Sequence, residues 1–123
     1  MRRFREHLSE AKKVYSDKQA HDAFMYGHCR SFAHALHSKI GGEVRALHKD
    51  GKQLHVFVHK DGSNYDHRGK RGHASMIMDA DGTLEHAHRW SEHPVNHEKM
   101  KTNPKMIENA SKYIDANKHK FTR

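Results

Sequence analysis

The chain has 123 residues, of which 34% are hydrophobic and 8% aromatic, enough for one small core and too few for a second, so residues 1–123 are expected to form a single domain. Lys and Arg number 23 against 15 Asp and Glu, a net charge of +8, which makes an acidic partner or surface plausible. One cysteine excludes an internal disulfide and a four-cysteine zinc framework, and the longest apolar run, Ala23 to Tyr26, excludes a membrane span and an export signal. The cytoplasm, where an unpaired thiol stays reduced, is the expected compartment.

Taken in chain order, Phe4, Leu8, Ala11 and Tyr15 fall at helical spacing and predict an amphipathic helix over residues 3–15. Ser16 with Gln19 has capping-box spacing and opens a short second helix that Gly27 breaks. Cys29, Phe32, Ala33, Leu36 and Ile40 make one apolar stripe ended by Gly41-Gly42, which predicts a third helix. The period then changes to alternation over residues 43–48 and 53–59, and Asp61-Gly62 reads as a hairpin turn into residues 63–67. A second hairpin, over residues 73–79 and 83–90 around Asp81-Gly82, is expected, with Met76-Ile77-Met78 as its core strand. Residues 91–102 read as irregular. Asn103-Pro104 supplies an N-cap and a first-turn proline for a closing helix over about 103–118. The expected class is α+β, with helices packed on an antiparallel sheet.

Cys29 stands where a helix begins, so its thiolate is favoured by the helix dipole and the unpaired N–H groups there. Two groups that could serve such a nucleophile lie on the first hairpin. With a two-residue loop at Asp61-Gly62, Phe57 faces Asp66 and His55 faces Arg68, which makes Asp66 the diagonal neighbour of His55 on one sheet face. A three-residue loop would send Asp66 to the other face. If the face of His55 and Phe57 packs on the apolar stripe of the Cys29 helix, the three residues form a Cys/His/acid set for nucleophilic catalysis. His55 would take the thiol proton and later protonate the leaving group, and Asp66 would orient the imidazole. The Cys29 N–H would donate to the oxyanion, with Tyr26 or His28 as candidate second donors.

Gly27-His28-Cys29 with Phe32-Ala33 and Leu36, then Gly41-Gly42, then His55-Val56-Phe57-Val58, then Tyr65-Asp66 and Arg68-Gly69, resembles the papain-like cysteine hydrolases, in particular the small bacterial and phage branch near cell-wall amidases and endopeptidases. The resemblance spans about residues 25–70. It implies a papain-like core and acyl-group chemistry through a thioester on an amide, isopeptide or ester of a protein or peptide-like substrate, with Cys29, His55 and Asp66 in the matching roles and no cofactor. The position six residues before the cysteine, a glutamine in papain-type peptidases, is Ala23.

Other readings compete. A cysteine on an apolar stripe is commonly plain core, and Asp66 can simply cap a turn. Fifteen histidines titrate in the mildly acidic range and make charge steeply pH-dependent. His55 and His59 share a strand face, and His86, His88, His93 and His97 offer spacings suited to zinc or nickel, without a clear four-ligand set. Lys12-Lys13, residues 67–71 and Lys99 to Lys105 could neutralise phosphates as a basic binding module. Aromatic residues to stack bases are sparse there, which disfavours a dedicated nucleic-acid role.

Overall fold

The structure, a computed structural model, describes residues 14–122. The helix expected over 3–15 falls mainly on residues 1–13, outside those described, and Val14 and Tyr15 are not helical. The next helix, α1 (Asp17–Tyr26), begins at the capping box: Ser16 Oγ accepts the Gln19 N–H at 3.1 Å and Gln19 Oε1 accepts the Ser16 N–H at 2.9 Å. After Gly27 and His28 the chain enters α2 (Cys29–Ile40), which buries Phe32, Ala33, Ala35 and Leu36. It ends at Gly41 and Gly42 with φ of 78° and 85°. A Cβ on Gly42 would lie 2.6 Å from the His59 carbonyl oxygen, so both the backbone conformation and the close approach of the His59 backbone demand glycine.

Five strands follow the expected change of period: β1 (Glu43–Lys49), β2 (Lys52–Lys60), β3 (Ser63–Asp66), β4 (Gly69–Arg71) and β5 (Trp90–Pro94). All pair antiparallel in the order β4-β3-β2-β1-β5. Asp61-Gly62 closes the β2–β3 hairpin as a two-residue loop with both residues at positive φ, and Lys60 pairs with Ser63. The closing helix α4 (Pro104–Ala116) starts where expected, with Asn103 Oδ1 accepting the N–H groups of Lys105 and Met106 at 3.0 and 3.2 Å. A 3-10 turn (Lys118–Phe121) follows it.

The second hairpin does not form. Residues His73–Asp81 make a helix, α3, and Gly82, in the left-handed region at φ 76°, is its C-cap. An Asp-Gly pair serves a left-handed C-cap as well as a hairpin turn, because both need the same positive φ. Met76 and Ile77 are buried from this helix while Met78 is exposed, so the apolar run is a helical stripe end and not a core strand. The stretch expected to be irregular begins with β5, which pairs with β1 from Lys49↔Trp90 to Arg45↔Pro94. As an edge strand of mostly polar residues ending in proline it carries no hydrophobic alternation.

The sheet has a different core on each face. One face presents Val44, Ala46, Val56, Val58 and Tyr65 to Phe24, Phe32, Leu36, Tyr113 and Phe121 from the α1, α2 and α4 side. The other presents Leu47 and Phe57 to Met76, Ile77 and Trp90. The α2 stripe therefore packs on the Val56 and Val58 face. The expectation that it packs on the face of His55 and Phe57 is wrong by one residue of parity.

Candidate active site

The imidazole and the carboxylate meet as the hairpin register requires. His55 Nε2 lies 3.0 Å from Asp66 Oδ2, and the two side chains are 4% and 2% exposed. The β2–β3 ladder runs only from Lys60↔Ser63 to Val58↔Tyr65, after which β3 turns into β4 through His67-Arg68. Asp66 caps that turn, with Oδ1 accepting the Arg68 N–H at 2.9 Å, and holds His55 with its other oxygen. The turn-capping and the imidazole-holding readings of Asp66 are both true, because a carboxylate has two oxygens.

Arg68 completes the anchor. Its Nε lies 3.2 Å from both oxygens of Asp66 and its Nη2 is 2.5 Å from Oδ2, while Nη1 reaches Asp79 of α3 at 2.6 Å. Burial alone would raise the Asp66 carboxyl, but His55 and Arg68 beside it hold it well below the usual carboxylate range. Sequence reasoning placed Arg68 opposite His55 and in a basic cluster but gave it no role in holding Asp66. Its position two residues after Asp66 was the available signal, since a side chain across a two-residue turn folds back on the residue that caps it.

Cys29, at the start of α2, lies near enough to the Val56 N–H and the His55 ring for both to draw its thiol downward. Cys29 and His55 thus line one cavity although α2 packs on the opposite face of the sheet. His55 Nδ1, the nitrogen that Asp66 leaves over, is buried without a fully formed hydrogen bond. The thiol lies beside the ring and is not yet in hydrogen-bond alignment, as is common for catalytic pairs without substrate. Burial pushes the Cys29 thiol up, but His55, the Val56 N–H and Arg30 outweigh it and the net shift is downward. For His55 burial favours the neutral ring, yet Asp66 and Cys29 raise it to about 9. Both shifts move the coupled pair toward thiolate with imidazolium.

Cys29 is partly exposed and opens onto a cavity of about 160 Å³ lined by Met25, Gly27, Cys29, Arg30, Gln53, Leu54 and His55. At the helix start His28 makes no side-chain cap, so the N–H groups of the first turn remain available for a ligand. His28 itself does not line the cavity. The side chain of Tyr26 lies outside what the structure describes.

The four histidines considered as metal ligands do not converge. The ring of His93 lies 4.6 Å from that of His48, His97 lies 4.3 Å from His37, and His86 and His88 are 6.5 Å apart. The His93 and His97 spacing presumed a helix, whereas His93 is in β5 and His97 in the loop after it. His59 is bonded to Asn64 at 2.7 Å, away from His55. Among the described residues no group of three or more His, Cys, Asp or Glu side chains could hold a metal ion, and no helix is long and apolar enough to cross a membrane. Comparison with protein-family models, with curated proteins and with solved structures gives no match.

Proposed function

We propose that this chain is a cysteine hydrolase or acyl-transferase of papain-like core, cleaving an amide, isopeptide or ester of a protein or peptide-like substrate through a thioester on Cys29. The observation that carries the reading is the buried His55–Asp66 pair, whose remaining imidazole nitrogen is left to a thiol at an uncapped helix start. Three residue types in the order of proton flow, each desolvated and each biased toward its working charge, are what nucleophilic catalysis needs.

In the reaction, the Cys29 thiolate adds to the carbonyl carbon and the oxyanion forms next to the Cys29 N–H at the helix start. His55, already protonated, delivers its proton to the leaving amine or alkoxide as the tetrahedral species collapses to the thioester. Water, or an acceptor amine in a transferase, then attacks the thioester while His55 takes its proton. Asp66 keeps Nε2 protonated throughout and stabilises the imidazolium, and Arg68 holds Asp66 in place. The open cavity accepts a small acyl group directly at the sulfur.

The test is acylation by p-nitrophenyl acetate followed by intact mass and peptide mapping. The expected result is one acetyl group on Cys29, absent in Cys29→Ala and formed about a hundredfold more slowly in His55→Ala. Acetylation spread over surface lysines, equal in the wild type and Cys29→Ala, would refute the reading.

A further inference from the structure

A second cavity, of about 380 Å³, opens on the α3 side of the sheet, lined by His59, Asn64, Arg71, Gly72, His73 and Glu92 among others. The register explains the gathering. His59, Asn64 and Arg71 pair in one row across β2, β3 and β4 on the face of Phe57, and Glu92, opposite Leu47, reaches that face from β5. His73 enters from the first turn of α3. Hydrogen bonds join the row to the helix. Asn64, which is buried, donates from Nδ2 to Glu92 Oε2 at 3.2 Å, its Oδ1 lies 2.7 Å from His59 Nδ1, and the same Glu92 oxygen lies 2.5 Å from His73 Nδ1.

Donor counting fixes both imidazoles. A carboxylate only accepts, so the Asn64 amide must turn its NH2 group to Glu92 and its oxygen to His59, and His59 must donate from Nδ1. His73 donates from Nδ1 to the carboxylate in the same way. Each ring therefore keeps Nε2 as its exchangeable atom, and neither Nε2 is bonded to another described residue. Two imidazoles anchored by one nitrogen and open at the other, on one cavity, have the form of a general acid–base pair. The cavity supplies no activated nucleophile, since Ser63, its one hydroxyl side chain, is bonded to neither ring. The attacking hydroxyl must arrive with the substrate.

We propose that this cavity is a second active site, which cleaves RNA with His59 as general base and His73 as general acid. It is separate from the Cys29 site and does not depend on the hydrolase reading. RNA carries a 2′-hydroxyl beside each phosphodiester, and a chain of net charge +8 attracts a polyanion. Arg71, whose Nη2 pairs with Asp79 while its Nε has no partner, and the start of α3, where Gly72 provides no side-chain cap, supply positive charge for the phosphate. Contacts to sugar and phosphate suffice for the reaction, so the scarcity of stacking aromatics limits base preference and not cleavage. His59, backed by a neutral amide, takes the 2′-hydroxyl proton on Nε2 as the 2′-oxygen bonds to phosphorus. The P–O5′ bond breaks, its electron pair leaves on O5′, and His73, backed by a carboxylate and protonated at Nε2, gives O5′ its proton. The products are a 2′,3′-cyclic phosphate and a 5′-hydroxyl, and proton exchange with water resets both rings.

The test incubates the full chain with a short unstructured RNA in EDTA and reads the fragments by mass. The wild type should yield fragments ending in 2′,3′-cyclic phosphate and should leave the same sequence intact when its 2′-hydroxyls are methylated. His59→Asn and His73→Asn keep a donor where Nδ1 stands and delete Nε2, so each should hold the wild-type urea midpoint and slow cleavage about a hundredfold. A network that only braces α3 on the sheet would tolerate both changes without loss of cleavage. An inactive wild type, cleavage of the methylated RNA, fragments bearing a 5′-phosphate, or equal rates in the wild type and both variants would each overturn the proposal. If one variant unfolds, the other variant and the methylated substrate decide the question.

Discussion

His55 and His67 are both almost fully buried, at 4% and 2% exposure, and flank Asp66 from opposite faces of the same sheet. His55 has the Asp66 carboxylate against Nε2 and the Cys29 sulfur beside the ring, and is raised to about 9. His67 packs edge-on to Phe32 and puts Nε2 3.0 Å from His21 Nδ1, with Nδ1 unbonded. Burial lowers it to about 4, with only the through-space field of Asp66 acting the other way. Exposure is similar and the shifts are opposite: His55 has the direct Asp66 hydrogen bond and Cys29 beside it, whereas His67 has neither and lies near Arg68 and His21. The alternation of a strand decides it: Asp66 points to one face and the next residue to the other.

The contrast can be broken at its source. Asp66→Asn removes the charge that His55 and Arg68 share and should destabilise the fold by about 3–5 kcal/mol, as expected when one partner of a buried ion pair is lost. His55 should then behave like His67, with its ring falling below the ordinary histidine value. Urea unfolding reads the first effect and NMR titration of the ring the second. An unchanged His55 titration would show that burial or Cys29, and not the carboxylate, governs it.

A smaller effect sharpens the other side. Because the folded-state value for His67, about 4, lies below the unfolded value near 6.5, its contribution is complete above pH 6.5 and is lost as pH falls from there through 4. The loss should amount to roughly 3 kcal/mol, and His67→Phe should flatten the stability profile in that window. His55 has the opposite sign: its stabilisation is present below pH 6.5 and fades as pH rises toward 9. Stability measured against pH should therefore fall on both flanks, and a profile that loses its acid flank in the Asp66 variant but keeps it in His67→Phe would reverse the assignment. The smallest effect belongs to Asp79, which pairs with Arg68 and Arg71 at the half-exposed edge of α3. Asp79→Ala should cost about 0.5 kcal/mol, read as a slight drop in the urea midpoint, and leave His55 unchanged.

How much of this was legible in the sequence depended on whether the signal was local. Asp61-Gly62 fixes a two-residue loop, and loop length fixes register, so the His55–Asp66 contact followed from counting residues. Ser16, Asn103-Pro104 and Gly41-Gly42 marked helix ends because caps are chemistry of adjacent residues. What failed needed knowledge of the partner. Asp81-Gly82 has one local conformation and two possible uses, and only the burial of Met76 and Ile77 on Phe57 and Trp90 selects the helix. β5 is a strand by virtue of the β1 edge it covers. The face on which α2 packs, and the shift of β1–β2 register between Leu47 and His48, are properties of the assembled sheet.

The most direct test of the site is the rate of Cys29 alkylation by iodoacetamide against pH, in the wild type and in His55→Ala. The wild type should react fast in neutral and mildly acidic solution, with half its maximal rate well below the roughly 8.5 of an ordinary thiol, and His55→Ala should move that midpoint upward. Superimposable curves with an ordinary thiol midpoint would mean that the sulfur and the imidazole are neighbours without being a catalytic pair.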